Sequence, residues 1–293
     1  MENGNGNLNR RAMLANLSIS QWTARKYDRK VSKEVAEKYN ATQDAGRYNK
    51  VLIAQEEIKV ISKVANAART FHYFQTLPWN DNGDRILPAK NFERYQEGIE
   101  KFKRDFDDAV TRFISLYPAL KDDARRNLNG LFNEEDYPAT EHLRGKYSFR
   151  PTFEPLALAA DFRVDLIGEQ AADAIRQDLE TRTQDAQQKA TAELYQRLYD
   201  SVKHMADKLA DPEGIFRDSL VNNLVELCGV LPSLNFADDP ELAALTDEVR
   251  DKLTNLDPQT LRTSVMFRGQ TASDAGAILA KITGTAGRYI DLS

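Results

Sequence analysis

The feature that most constrains the fold of this chain is an unbroken row of apolar residues between Phe92 and Leu116. The row advances by alternating steps of three and four, which is the spacing that places side chains on one face of an α-helix. Its members are Phe92, Tyr95, Ile99, Phe102, Phe106, Ala109, Phe113 and Leu116, and charged residues fill the opposite face. The row therefore predicts a helix that either packs in the core or serves as a self-association face.

Helical periodicity extends over most of the remaining chain. It predicts a helix over 45–76 with two apolar stripes, a short helix after Pro118 and a long helix over 169–209. The middle of the long helix lacks large apolar side chains, so we expect it to be exposed or to face a partner through small residues. Shorter helices are predicted after Asp211, Asp238, Leu256 and Ala272, where capping residues or prolines open each segment.

Three regions indicate β-structure. The short alternation of Leu17 and Ile19 predicts a strand or an extended entry segment. Asn82-Gly83 predicts a tight turn, because both residues tolerate a positive φ. Between residues 132 and 168 the apolar pattern changes to period two, which predicts two short strands around Phe149 and Val164. We expect a mainly α fold, a long-helix bundle with a small β element near the middle. The expected regions are a basic bundle with a flexible N-terminal tail (1–131), a β/loop element (132–168) and a long helix followed by an acidic helical domain (169–293).

The charge of the chain is divided unevenly along its length. Its 40 basic and 45 acidic residues sum to a net charge of −5. Residues 1–150, however, contain 26 basic and 21 acidic residues, whereas residues 151–293 contain 14 and 24. This asymmetry predicts an anionic partner for the N-terminal half or contact between copies of the chain, against the alternative of ordinary scattered surface charge.

The sequence lacks recognisable catalytic motifs. It has no phosphate-binding loop, no dinucleotide fingerprint and no nucleophile elbow, and its three histidines lack metal-ligand spacing. The single cysteine, Cys228, excludes an internal disulfide framework and follows an apolar helical pattern, which predicts a buried thiol. The acidic clusters are explained by helix faces, caps and loops, so we predict no catalytic residue, no metal and no cofactor.

Two segments combine basic and aromatic residues, the composition of surfaces that bind single-stranded nucleic acids. The candidate contacts are Trp22, Arg25, Lys26, Tyr27, Arg29 and Lys30 in the first segment, and Arg144, Lys146, Tyr147 and Arg150 in the second. The alternative for both segments is a solvated basic turn with its aromatic residues directed into the core.

Several short motifs carry a resemblance to a known group of proteins. These are the segments Leu17–Trp22 and Phe132–Pro138, with Leu143-Arg144, Tyr147, Phe149, Pro155 and Asp161–Val164. Together they resemble a family of tailed-bacteriophage proteins of similar length for which no activity is established. The resemblance implies a phage protein in the bacterial cytoplasm, and it transfers no catalytic residue.

These observations favour a non-enzymatic interaction or assembly protein that associates with itself through long amphipathic helices. The alternative is a single-stranded nucleic-acid-binding protein of phage replication or recombination, and a host or phage protein is a further candidate partner. No apolar stretch has the ~20 residues of a membrane span and the N-terminus lacks a signal sequence. We therefore expect a cytoplasmic protein without a membrane partner.

Overall fold

The chain passes four times between two folding units. A computed structural model describes residues 8–157, 159, 162, 168–211, 214–287 and 289. Unit 1 consists of Met1–Asn16, Tyr73–Tyr95 and Thr152–Ser293, and unit 2 consists of Leu17–His72 and Gln96–Pro151. Both units are discontinuous in sequence.

Ten α-helices and six β-strands form the described part of the chain. The helices are α1 (Leu8–Arg11), α2 (Arg29–Lys38), α3 (Gln55–Gln75), α4 (Phe92–Leu128), α5 (Thr140–Leu143), α6 (Glu169–Ala210), α7 (Ser219–Leu234), α8 (Pro240–Val249), α9 (Pro258–Thr263) and α10 (Val265–Ala286). The strands are β1 (Ala12–Ser20), β2 (Arg25–Tyr27), β3 (Asn49–Val51), β4 (Leu77–Pro78), β5 (Arg85–Pro88) and β6 (Ser148–Pro155). The mainly α class is as predicted.

The β-structure is more extensive than the predicted hairpin. One sheet has the strand order β4-β5-β1-β6, and β2 pairs with β3 in a second sheet. The predicted Asn82-Gly83 turn lies between β4 and β5, with Gly83 at φ 91°. Strand β5 also pairs with the distant β1, and local periodicity cannot reveal such a pairing. Strand β6 covers the first predicted strand, whereas the second, around Val164, lies almost wholly outside the described residues.

Unit 1 is built around the packing of α6 on α10. In the middle of α6 the small residues Thr183, Ala186 and Ala190 are buried, and Ala190 belongs to a core cluster that also includes residues of α10. Farther along α6, Leu198 and Val202 are completely buried in a cluster that also includes residues of α7, α8 and α10. Leu8 and Ala12, near the N-terminus, belong to the same cluster.

Unit 2 is organised by the two long helices α3 and α4. Helix α3 begins at Gln55, ten residues after the predicted start, because residues 49–51 form β3. Helix α4 continues through Pro118, where we expected it to end. Pro118 faces solvent, and the helix on either side of it is held by the buried residues Tyr117 and Ala124.

The predicted apolar row on α4 lies in the interior. Tyr95, Ile99, Phe106 and Phe113 are at most 2% exposed, and Phe92 and Phe102 are half-buried. Phe102 contacts Phe71 of α3, and Phe113 lies between the rings of Trp22 and Tyr147. The row is therefore occupied by contacts within a single chain.

Candidate nucleic-acid interface

The first predicted basic segment forms half of a two-stranded ribbon in unit 2. Strands β2 and β3 run antiparallel, with Arg25 opposite Val51, Lys26 opposite Lys50 and Tyr27 opposite Asn49. We call these six residues the basic ribbon. Helix α2 lies between the two strands and is capped at its N-terminus by Asp28, whose carboxylate accepts a hydrogen bond from the backbone N–H of Val31.

Side chains on the ribbon alternate between two faces, as the pleat of a β-strand requires. Lys26 and Lys50 share one face, and the Nζ atoms of both reach the carboxylate of Asp136. The opposite face, which we call the outer face, presents Arg25, Tyr27, Asn49 and Val51, and all four are exposed. The outer face is thus a basic and aromatic surface that is open to solvent at all four residues.

A second arginine extends the outer face. The guanidinium carbon of Arg47 lies 5.8 Å from the centre of the Tyr27 ring, within the range of a cation–π contact. The side chain of Tyr27 is 43% exposed and that of neighbouring Tyr48 is 38% exposed. In the described residues, neither Arg25 nor Arg47 forms an ion pair with a carboxylate.

The inner side of the ribbon is anchored by a buried charge cluster. The Nζ atom of Lys50 lies 2.6 Å from Asp136 Oδ2 and 3.3 Å from Asp28 Oδ2, and it donates a hydrogen bond of 2.8 Å to the Leu131 carbonyl. Lys26 Nζ lies 2.7 Å from the other carboxylate oxygen of Asp136. The side chains of Lys50 and Asp136 are each only 5% exposed. These contacts tie the ribbon to the segment around Asp136.

The cluster holds its members in their charged forms. Burial opposes ionisation of Asp136, but hydrogen bonds and the positive charges of Lys26 and Lys50 outweigh it and hold its pKa below the usual value. Burial likewise opposes the charge of Lys50, and its two carboxylate partners outweigh this effect and raise its pKa. The pKa of Asp28 is lowered chiefly by the backbone hydrogen bond from Val31.

The other predicted contacts of the first segment differ in how accessible their side chains are to a ligand. Lys26 is engaged by Asp136, and Lys30 lies 3.9 Å from Glu34 within α2. Arg29 is exposed at the first turn of α2. Trp22 is half-buried beside Phe113 and Tyr117, with ring centres 6.3 and 5.9 Å away.

The second predicted segment does not form a comparable surface. The Tyr147 ring is buried, and burial raises the pKa of its hydroxyl above the usual range. Arg144 forms an ion pair of 2.7 Å with Asp107, and only Lys146 and Arg150 are exposed without a carboxylate partner in the described residues. For Tyr147 the structure matches the alternative in which the aromatic residue turns into the core.

Two arginines near the ribbon were not among the predicted contacts. Arg47 falls within the helix predicted over 45–76, although its basic-aromatic pairing with Tyr48 repeats the composition of Lys26-Tyr27. Arg69 lies on α3, where it donates hydrogen bonds of 3.1 Å to the Ile19 carbonyl and the Asn66 side chain. No local sequence signal links Arg69 to the ribbon.

Comparisons with known proteins were made on the whole chain. No family model matches it, and neither a curated protein nor a solved structure is similar to it. Among the described residues, no group of three or more histidine, cysteine or acidic side chains is arranged to hold a metal ion. None of the helices in the described ranges combines the length and apolarity needed to cross a membrane.

Proposed function

We propose that this protein is a non-enzymatic binding protein that holds single-stranded nucleic acid on the outer face of its basic ribbon. The observation that carries this proposal is the grouping of Arg25, Tyr27 and Arg47 on one exposed surface, with neither guanidinium paired to a carboxylate of the described residues. Single-strand binders combine these two elements, cations for the phosphates and aromatic rings for the bases.

The local charge favours an anionic ligand although the whole chain is acidic. Residues 25–51 contain eight basic and four acidic side chains. One of the four, Asp28, is directed to buried Lys50, and Glu34 and Glu37 face lysines of α2. The local field, and not the net charge of −5, determines what approaches this surface.

Exposed tyrosines supply the second element. Tyr27, Tyr48 and Tyr39 are 43%, 38% and 71% exposed, although aromatic side chains are usually more buried. Stacking of a base on an aromatic ring contributes about 1–3 kcal/mol and is tolerant of sequence. A ligand whose bases are unpaired gains this contribution, whereas duplex DNA keeps its bases stacked inside the helix.

The resemblance of Leu17–Trp22 and Phe132–Pro138 to tailed-bacteriophage proteins supports a role in phage replication or recombination. In those processes single strands are exposed and need a protein that covers them without altering them. We place the protein there as part of the same proposal.

The proposal is tested by fluorescence anisotropy with a labelled single-stranded oligonucleotide of about 12 nucleotides, a length typical of small single-strand sites. We expect binding that weakens as salt is raised, because phosphate contacts release counterions. Arg25→Ala and Arg47→Ala should each weaken binding and reduce the salt slope by about 1. Arg144→Ala is the matched control, because Asp107 already pairs with that arginine.

Two results would reject this function. One is the absence of binding, or binding that does not respond to salt. The other is an equal loss of affinity for Arg144→Ala and Arg25→Ala, since it would show that the ribbon is not the contact surface.

A second candidate function, self-association, is favoured by a different observation. Ile215, Val265 and Met266 are 92%, 70% and 85% exposed, and Arg268 joins their two segments by donating a hydrogen bond to the Gly214 carbonyl. We propose a second copy of the chain as the partner of these residues, in place of the apolar row on α4. Light scattering at tens of micromolar should show a dimer or larger species that Met266→Lys dissociates and Gln270→Lys leaves intact. A monomeric wild-type protein would reject this candidate.

A further inference from the structure

A cavity of about 480 Å³ opens beside the basic ribbon in unit 2. Its volume falls within the roughly 300–1,000 Å³ of small-ligand sites. The lining includes Trp22 and Ile19 from the end of β1 onward, Arg25 from β2, and Ile58, Ser62 and Arg69 from α3. We propose that this cavity receives one unpaired base of the bound strand, an inference that rests on the proposed function.

Arg25 connects the cavity to the ribbon. It belongs to the outer face of β2, and it also lines the cavity. A strand whose phosphates contact Arg25 on the ribbon therefore passes the mouth of the cavity. Rotation of a single base out of the strand is enough to bring that base inside, and it costs least where the bases are already unpaired.

The walls of the cavity match the surfaces of a base. Trp22 is half-buried, its indole is packed against the rings of Phe113 and Tyr117, and Ile58 supplies a buried aliphatic wall. A rigid indole held in this way loses little conformational entropy when a base stacks against it. The apolar part of the cavity therefore suits a flat aromatic ring.

Polar groups at the cavity suit the hydrogen-bonding edge of a base. Ser62 donates a hydrogen bond of 3.1 Å to Gln21 Oε1, and Gln55 Nε2 donates one of 3.0 Å to the Ile53 carbonyl. The remaining amide groups of Gln21 and Gln55 have no protein partner among the described residues. They provide one donor group and one acceptor, and a base edge presents both kinds of group.

Arginines lie where the strand enters. Arg69 is fixed by hydrogen bonds to the Ile19 carbonyl and the Asn66 side chain, so its guanidinium is already ordered. Arg25 has no carboxylate partner in the described part of unit 2. An ordered and an unpaired guanidinium together form a site for the phosphate that flanks the inserted base.

The inference is tested by comparing a 12-nucleotide thymidine strand with an abasic strand of the same length and charge. For the wild-type protein we expect the abasic strand to bind roughly five- to 150-fold more weakly, the range set by stacking of one base. Ser62→Leu fills the cavity and should reduce this ratio at least fivefold. Ala67→Leu adds the same side chain at an exposed position of α3 and should leave the ratio unchanged.

A second cavity-filling variant and a measurement of tryptophan emission make the test independent of any single variant. Thr23 also lines the cavity, so Thr23→Leu fills it from a second position and the test does not depend on the folding of Ser62→Leu. In a Trp79→Phe background Trp22 is the only tryptophan, and its emission should change with the thymidine strand but not with the abasic strand.

The outcomes separate the two proposals. Equal affinity of the wild-type protein for both strands, or an unchanged ratio in both filled variants, would overturn the cavity inference while salt-dependent binding on the ribbon stands. Failure to bind either strand would overturn the proposed function and the cavity inference with it.

Discussion

Lys50 and Asp136 form an ion pair whose two side chains are almost completely removed from solvent. The Lys50 Nζ atom lies 2.6 Å from Asp136 Oδ2, and both side chains are 5% exposed. Removing a charge from water is costly, so each member depends on the other for compensation. The same pair joins strand β3 to the segment that follows α4, and thereby positions the ribbon on unit 2.

Lys50→Ala should destabilise the protein by about 3–5 kcal/mol, because it leaves the carboxylate of Asp136 buried with only Lys26 beside it. Urea denaturation would measure the change. Lys63→Ala, at an exposed position of α3, should shift the free energy of unfolding by no more than about 0.5 kcal/mol. The double change Lys50→Met with Asp136→Leu should recover most of the loss, and a double variant as unstable as the single one would contradict this explanation.

Acid should lower the free energy of unfolding through the carboxylates of the buried charge cluster. The pKa of Asp136 and that of Asp28 are both lowered in the folded state. Their stabilising contribution is therefore present above the unfolded-state pKa of about 3.9 and is lost as the pH falls through the lower folded values. Urea unfolding from pH 7 to pH 2 should show this decline, and Lys50→Met with Asp136→Leu should flatten it. An identical acid profile for both proteins would assign the sensitivity to other groups.

Gly98→Ala should destabilise the protein even though alanine favours helices. A methyl group on Gly98 would lie 2.1 Å from a ring carbon of Phe71, so the ring would have to move. Overpacking of this kind costs about 1–3 kcal/mol. Gly276→Ala, with open space around it on α10, should instead stabilise by up to about 1 kcal/mol. Thermal unfolding would compare the stabilities of the two variants. Phe71→Leu should restore part of the stability lost in Gly98→Ala. If Gly98→Ala and Gly276→Ala changed the stability in the same direction, the argument from packing would be refuted.

Cys228 should resist alkylation while the protein is folded. The thiol is buried, and burial raises its pKa to about 11. Only the thiolate reacts with iodoacetamide, so the native protein at pH 8 should remain unmodified for far longer than the protein in denaturing urea. Mass spectrometry of timed samples would follow the reaction. Comparable rates in both conditions would show that α7 opens readily.

The sequence was informative where structure depends on near neighbours along the chain. The row from Phe92 to Phe113 predicted α4, Asn82-Gly83 predicted the turn between β4 and β5, and Asp239 with Pro240 predicted the start of α8. In each case the determining interactions lie within one turn or one helix face. Periodicity and capping chemistry report on those interactions directly.

Pairing between distant segments explains where the predictions from the sequence were wrong. Val51 falls within the helix predicted over 45–76, whereas it lies opposite Arg25 on an exposed strand. The same limit applies to the candidate site. Arg25 and Tyr27 were predicted, but Arg69 was missed because only the fold brings α3 beside the ribbon. Nor could the sequence show that Arg144 is already engaged by Asp107, since the two residues lie on different elements.

The position of Leu8 and Ala12 in the core of unit 1 has a consequence for biosynthesis. These residues leave the ribosome long before Ile278 and Ile282 of α10, which belong to the same cluster. A nascent chain therefore has to keep Leu8 and Ala12 without part of their packing partners until α10 has been translated. Unit 1 can close only after α10 has emerged, and a ribosome that stalls before α10 would release a chain with an exposed core.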